Sequence, residues 1–252
     1  MTHFHICFIL SLFISSSFSI DVNNLGKSQI PILTAEICDK KPEIEEITLL
    51  SANITKIETN ALHKCNRVVK IWLEDNLLTD LFSETFKNKP KLRELNLRRN
   101  RLEYLDEDVF DGLAALETLN LQCNKLIFFS SRHTQDLMLL KYLNIASNHL
   151  INLEINELLA KLPQLGFINY NGNDISCARH AVISAKINAS GVGMGDAHCD
   201  GIRSVDLIES ESPQYTAEPY FCMPDDKWDL RSTEVIARID ELKQRKKYET
   251  KK

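Results

Sequence analysis

Cysteine and histidine are the side chains of this 252-residue chain best suited to chemistry, and their spacing decides which chemistry is open. The cysteines are Cys7, Cys38, Cys65, Cys123, Cys177, Cys199 and Cys222. None belongs to a Cys-x-x-Cys pair, so zinc and dithiol redox sites have no signature. Cys177 and His180 stand three apart, the one spacing that could make a thiolate–imidazole nucleophile. A cysteine held in a disulfide has no thiolate to offer, and that is the expectation for Cys177. His63, His133, His149, His180 and His198 are scattered. No Gly-x-Ser-x-Gly, phosphate loop, His-Glu-x-x-His or paired-carboxylate pattern occurs. The chain therefore reads as a non-enzyme that needs no metal or cofactor.

The elements that must position these residues are legible as a repeat. Segments starting at Ile44, Val68, Leu92, Leu116 and Leu140 follow one another every 24 residues, and a sixth starts 25 residues later at Leu165. Each spells apolar, two free, apolar, one free, apolar, two free, usually Asn, one free, apolar. Leu92, Leu95, Leu97, Asn100, Leu102 and Leu105 form the cleanest copy. That is the leucine-rich repeat pattern. One repeat cannot bury its own apolar face, so the coils must stack into a solenoid with a continuous core and a parallel sheet on its concave side. The Asn column (Asn76, Asn100, Asn124, Asn148, Asn173) should turn inward and bond backbone groups left unpaired at each bend. Ala52 replaces it in the first repeat. Leu62, Phe86, Phe110 and Leu158 form a second apolar column on the convex side. Thr134 interrupts it, which predicts an irregular back in the fourth repeat.

Residues 20–43 are expected to cap the solenoid at one end, residues 44–176 to hold the six repeats, and residues 177–222 to cap the other end. Within that second cap, residues 178–188 read as an amphipathic helix with Val182, Ile183 and Ile187 on one side. Residues 223–252 should supply a short charged helix from Ser232 or Thr233, with Val235, Ile239 and Leu242 at coiled-coil spacing, and then a basic tail.

Residues 1–19 read as a secretory leader. Ile6 to Ile20 is apolar apart from serines, and Ser17 and Ser19 offer small residues for cleavage. No later stretch is apolar enough to span a bilayer, so the mature product is expected to be soluble and extracellular. The sequons at Asn53 and Asn188 suit that compartment. Net charge is −5, but residues 243–252 carry six basic residues and one acid, which leaves −10 on the rest. An acidic body with a basic tip argues against nucleic-acid binding.

An oxidising compartment makes disulfides the default for the six cysteines left once Cys7 goes with the leader. Projected onto the solenoid, Cys38 and Cys65 fall on neighbouring coils, about 5 Å apart, and should bridge. Cys177, Cys199 and Cys222 lie beyond the last repeat, an odd number. Cys123 sits two coils from that cap, at least about 10 Å away, beyond disulfide reach. Two leftover thiols follow: Cys123 and one cap cysteine, the latter a candidate for an interchain bond.

Surface is what remains for function. Outward positions of the concave sheet carry Lys70, Trp72 and Glu74, then Glu94, Asn96, Arg98 and Arg99, then Thr118 and Asn120, then Tyr142 and Asn144, then Phe167 and Asn169. Trp72, Tyr142 and Phe167 are the residue types that anchor interfaces, and the charges beside them add contrast.

The C-terminal part sharpens this reading. Asn-Gly-Asn-Asp-Ile-Ser-Cys177, a cap helix, Cys199, Tyr220-Phe221-Cys222 and the charged helix ending Arg238-Ile239-Asp240-Glu241-Leu242-Lys243 resemble the leucine-rich immune molecules of mosquitoes, in their short or coil-less form. The resemblance implies a secreted haemolymph protein of innate immunity. Its partners would be another leucine-rich repeat chain, a complement-like thioester protein or a microbial surface. It also implies that Cys222 is the interchain cysteine and that Cys177 pairs with Cys199. The other reading is a matrix or cell-adhesion module.

Overall fold

The computed structural model describes residues 19–21, 32–39, 42–195, 232–242 and 244. Each repeat contributes one three-residue strand. In chain order these are β3 (Glu46–Thr48), β5 (Lys70–Trp72), β7 (Glu94–Asn96), β9 (Thr118–Asn120), β10 (Tyr142–Asn144) and β11 (Phe167–Asn169). They pair in parallel, each in register with the residue 24 or 25 positions on. β1 (Ser19–Asp21) extends the sheet beside β3, and β12 (Gly193–Met194) beside β11. Two-residue ladders, β2 (Ile32–Leu33) with β4 (Lys56–Ile57) and β6 (Asp80–Leu81) with β8 (Tyr104–Leu105), run behind it.

Strand period two explains the layers. Ile47, Ile71, Leu95, Leu119, Leu143 and Ile168 point inward, joined two residues on by Leu49, Leu73, Leu97, Leu121, Ile145 and Tyr170, and all are buried. Each such side chain adds roughly 1.5–3 kcal/mol when removed from water. The chain then bends through a left-handed residue at the same place in every coil: Ser51, Asp75, Arg99, Cys123, Ser147 and Gly172. The repeated Asn satisfies what the bend leaves open. Asn100 Oδ1 accepts from Leu78 N at 3.1 Å, while its Nδ2 donates to Leu73 O and Leu97 O at 2.9 and 3.0 Å. Asn76, Asn124, Asn148 and Asn173 repeat the pattern. Ala52, lacking such an amide, receives it from the next coil, where Asn76 Oδ1 accepts from Ala52 N at 3.1 Å.

The convex side departs from the others in the fourth repeat, as the break at Thr134 predicts. Ser131–Thr134 form a 3-10 turn, and the buried Thr134 hydroxyl donates to Ser131 O at 2.9 Å. Buried His133 completes a reciprocal cap, accepting from Ser130 N through Nδ1 at 3.0 Å, with Nε2 3.3 Å from Leu105 O. A seven-residue helix, Ile155–Lys161, forms the back of the fifth.

Cys38 and Cys65 are bonded at one end, Cα atoms 5.2 Å apart. At the other, the cap helix spans Cys177–Ala189, started by Ser176, whose side chain accepts from Arg179 N. Ile183 and Ile187 are buried, but Val182 is 54% exposed. The apolar stripe is thus narrower than the three residues assigned to it, because position 182 lies about 100° around the helix from 183. Residues 232–242 are helical. They fold back on the flank of the solenoid, with Val235, Ile239 and Leu242 packed against Tyr104, Ile127, Phe128 and Ile151. Arg238 reaches Glu103 at 3.1 Å.

Candidate interaction surface

The concave sheet presents two kinds of chemistry. In its first half, Arg98 Nη1 lies 2.6 Å from Glu74 Oε1, with the two side chains 5% and 15% exposed. Asn96 Nδ2 donates to the other Glu74 oxygen at 3.1 Å. Burial makes this pair unlike the exposed ion pairs around it, because water screens it little. Lys70 Nζ lies 3.6 Å over the Trp72 ring and 3.9 Å from Glu94. Arg99 lies at the rim, 4.0 Å from Asp75.

The second half is neutral and aromatic. Tyr142 and Phe167 stack with centroids 4.8 Å apart and planes within 1°. Burial pushes the Tyr142 hydroxyl pKa above its ordinary value, and Asn144 donates to that hydroxyl at 3.3 Å. Behind Phe167, a Cβ on Gly195 would lie 2.5 Å from its ring, so only glycine allows this close approach. Asn171 Nδ2 donates to Gly195 O across the same step.

Asn96, Asn120, Asn144 and Asn169, assigned to the outward face, are only 4–6% exposed. Each side-chain oxygen accepts from the backbone N–H two residues on. They form a second structural Asn column between the exposed rows. The surface open to a partner comes down to Lys70, Trp72, Glu94, Thr118, Tyr142, Phe167 and the rim.

Cys177 is disulfide-bonded and so is no nucleophile. His180 contacts Asn171 Oδ1 at 3.2 Å and lies against the Tyr170 ring, and burial lowers its pKa. Tyr170 stands where the other coils carry Leu or Ile, and burial raises its hydroxyl pKa to about 12. Among the described residues no cluster of three metal-ligating side chains forms. An open groove of 440 Å³ between the convex helix and the cap helix is lined by Glu154 and Glu157 from the first and Arg179 and Lys186 from the second.

Cys123 corrects the sequence reading: it is disulfide-bonded and is no leftover thiol. Distance along the stack separates Cys123 from a cap only where everything after the last repeat stays at the far end. The helix at 232–242 instead lies beside coils three to five, so the later chain returns to the coil that carries Cys123. Cys38 and Cys65 bond each other, and the partners of Cys123 and Cys177 lie outside the described residues, as do Cys199 and Cys222. Both sequon asparagines are exposed, Asn53 in a left-handed bend and Asn188 in the last turn of the cap helix.

Comparison with known proteins agrees with this geometry. Residues 42–102, 66–126 and 90–150 match the leucine-rich repeat model. The solved complex of the mosquito immune proteins LRIM1 and APL1C contains a chain 27% identical to this one, with a TM-score of 0.55 over 59% of this chain and 27% of that chain. The leucine-rich repeat domain of the mosquito protein APL1B is 26% identical, with a TM-score of 0.50 over 56% of this chain and 42% of that one. This chain thus spans less than half of either. No curated protein matches it.

Proposed function

We propose that this leucine-rich repeat protein is a secreted, glycosylated recognition protein of insect innate immunity, binding through its concave sheet. The observation that carries the reading is the likeness of its repeat array to mosquito leucine-rich immune proteins. The rigid sheet adds a physical reason. Its outward residues are held by the stacked core before any partner arrives, so little ordering cost falls on binding. The leader at 1–19 and the exposed sequons at Asn53 and Asn188 support export. No helix among the described residues is long and apolar enough to cross a membrane.

A solved neighbour is a complex of LRIM1 with APL1C, so another leucine-rich repeat chain is the first partner to seek. A complement-like thioester protein or a microbial surface comes next. The reading is tested by co-expressing this chain in insect cells with a mosquito leucine-rich immune protein, and by following its haemolymph level after bacterial challenge. Co-purification and induction support it. Separate elution together with constant expression at epithelial surfaces would make a matrix or adhesion module the better account.

A further inference from the structure

The outward row at the third position of each repeat runs Lys70, Glu94, Thr118, Tyr142, Phe167 in strict register across the sheet. Thr118 is its one small side chain. Adjacent strands are about 4.8 Å apart, which sets Glu94 and Tyr142 roughly 10 Å apart, with space for one inserted side chain above Thr118. Phe167 covers one face of the Tyr142 ring, and the other face turns toward Thr118. The opposite wall is Glu94, 45% exposed, whose contact with Lys70 at 3.9 Å is too long for a hydrogen bond. Asn120 lies buried at the floor.

The neighbouring coil shows what such walls hold. There the Lys70 ammonium sits 3.6 Å over an aromatic face, Trp72, and 3.9 Å from Glu94. The space above Thr118 offers the same two kinds of group in a different placement, the Glu94 carboxylate on one side of the row and the Tyr142 ring on the other.

We propose that this space is the anchor pocket of the concave face, and that it takes an arginine or lysine side chain of a protein partner. The proposal rests on the reading of that face as the recognition surface. Guanidinium fits best, because it is planar, stacks on rings and forks to carboxylates. The acidic balance of the chain outside its last ten residues favours a basic partner as well.

The test titrates the secreted chain with a glycine-serine peptide carrying one arginine, and with the same peptide carrying citrulline, which removes the charge. NMR follows the ring signals of Tyr142 and Phe167. The arginine peptide should shift the Tyr142 signals and bind about fivefold more tightly than its citrulline form. Thr118→Trp should fill the pocket and abolish the shift at an unchanged melting temperature, and Glu94→Gln should reduce binding to the citrulline level. Equal affinity for the two peptides, or unchanged arginine binding by Thr118→Trp, overturns the pocket. Partner binding judges the underlying reading separately. Loss with Trp72→Ala but not with Thr118→Trp removes the pocket and leaves the recognition face, whereas no loss with either removes both.

Discussion

The two halves of the concave sheet share one backbone and present opposite surfaces. In the half around β5 and β7, Glu74 is bonded to Arg98, and Lys70 lies over the Trp72 ring with Glu94 beside it at 3.9 Å. In the half around β10 and β11, two rings stack and the flanking side chains are neutral amides. Inward, both halves carry the same buried apolar rows, Leu and Ile except for Tyr170 after β11. The core specifies the scaffold and leaves the outward rows free to differ, so fold and specificity are written at alternating positions of the same short strands.

The largest expected effects come from breaking what the halves share. Leu95→Ala and Leu143→Ala, on the same inward row of β7 and β10, should each cost about 2–5 kcal/mol in denaturant titrations. Unequal losses would show that the halves do not share one core. Asn100→Ala leaves the buried Leu78 N–H without its acceptor and takes one of two amide donors from each of Leu73 O and Leu97 O, which should cost about 1–3 kcal/mol by the same measurement.

The next change separates the halves. Arg98→Ala leaves the Glu74 carboxylate largely buried without its cation, which should cost about 2–4 kcal/mol. Phe167→Ala removes one ring of a half-buried stack and should cost less, about 1–2 kcal/mol. A larger loss for Phe167→Ala than for Arg98→Ala would reverse the contrast drawn between a bound charge network and an open aromatic surface.

Smaller still is a pH effect from the convex side of the fourth repeat. Burial lowers the His133 pKa, so the unfolded chain takes up a proton that the folded chain refuses. Stability should therefore fall as pH drops below the ordinary histidine value, about 6.5, and continue to fall down to the lowered folded value. Melting curves between pH 8 and pH 5 should show a steeper decline for wild type than for His133→Asn. Equal slopes would mean that His133 adds nothing to an acid response set by the other titrating groups, His180 and the carboxylates among them.

The cysteines give a qualitative prediction. With Cys38 bonded to Cys65, and with Cys123 and Cys177 each bonded elsewhere, the proposed leader would carry Cys7 away and leave Cys199 and Cys222 as the partners within the chain. The secreted chain should then run as a monomer with or without reductant. A reductant-sensitive dimer lost in Cys222→Ser would restore the interchain bond that the family resemblance implies.

The scaffold was legible because period 24 and the Asn column are local, repeated signals: Leu95, Asn100 and Phe110 sit where their spacing puts them. Cys38 with Cys65 was legible because the repeat register alone places them on adjacent coils. What escaped depends on contacts that no local pattern carries. Arg238 meets Glu103 across 135 positions, and this return of the chain is what the placement of Cys123 lacked. The outward asparagines escaped for a different reason. Position parity shows which face a residue takes, but not that its amide will fold down onto its own backbone, as Asn96 does on Arg98 N. Lys89 is a signal that could have been read: it occupies the core column of Cys65, Leu113 and Leu137. Its ammonium is buried against the carbonyls of Lys87 and Asn88, and its pKa is lowered by that burial.

The most direct test of recognition by the concave face compares two variants, each checked to be folded at the assay temperature, for capture of proteins from bacterially challenged insect haemolymph. One carries Trp72→Ala with Phe167→Ala on the sheet, and the other carries Met138→Ala with Leu139→Ala, which alters exposed apolar residues away from it. The account predicts that the wild-type set of captured proteins is lost with the first variant and kept with the second. Retention by the first and loss by the second would contradict it.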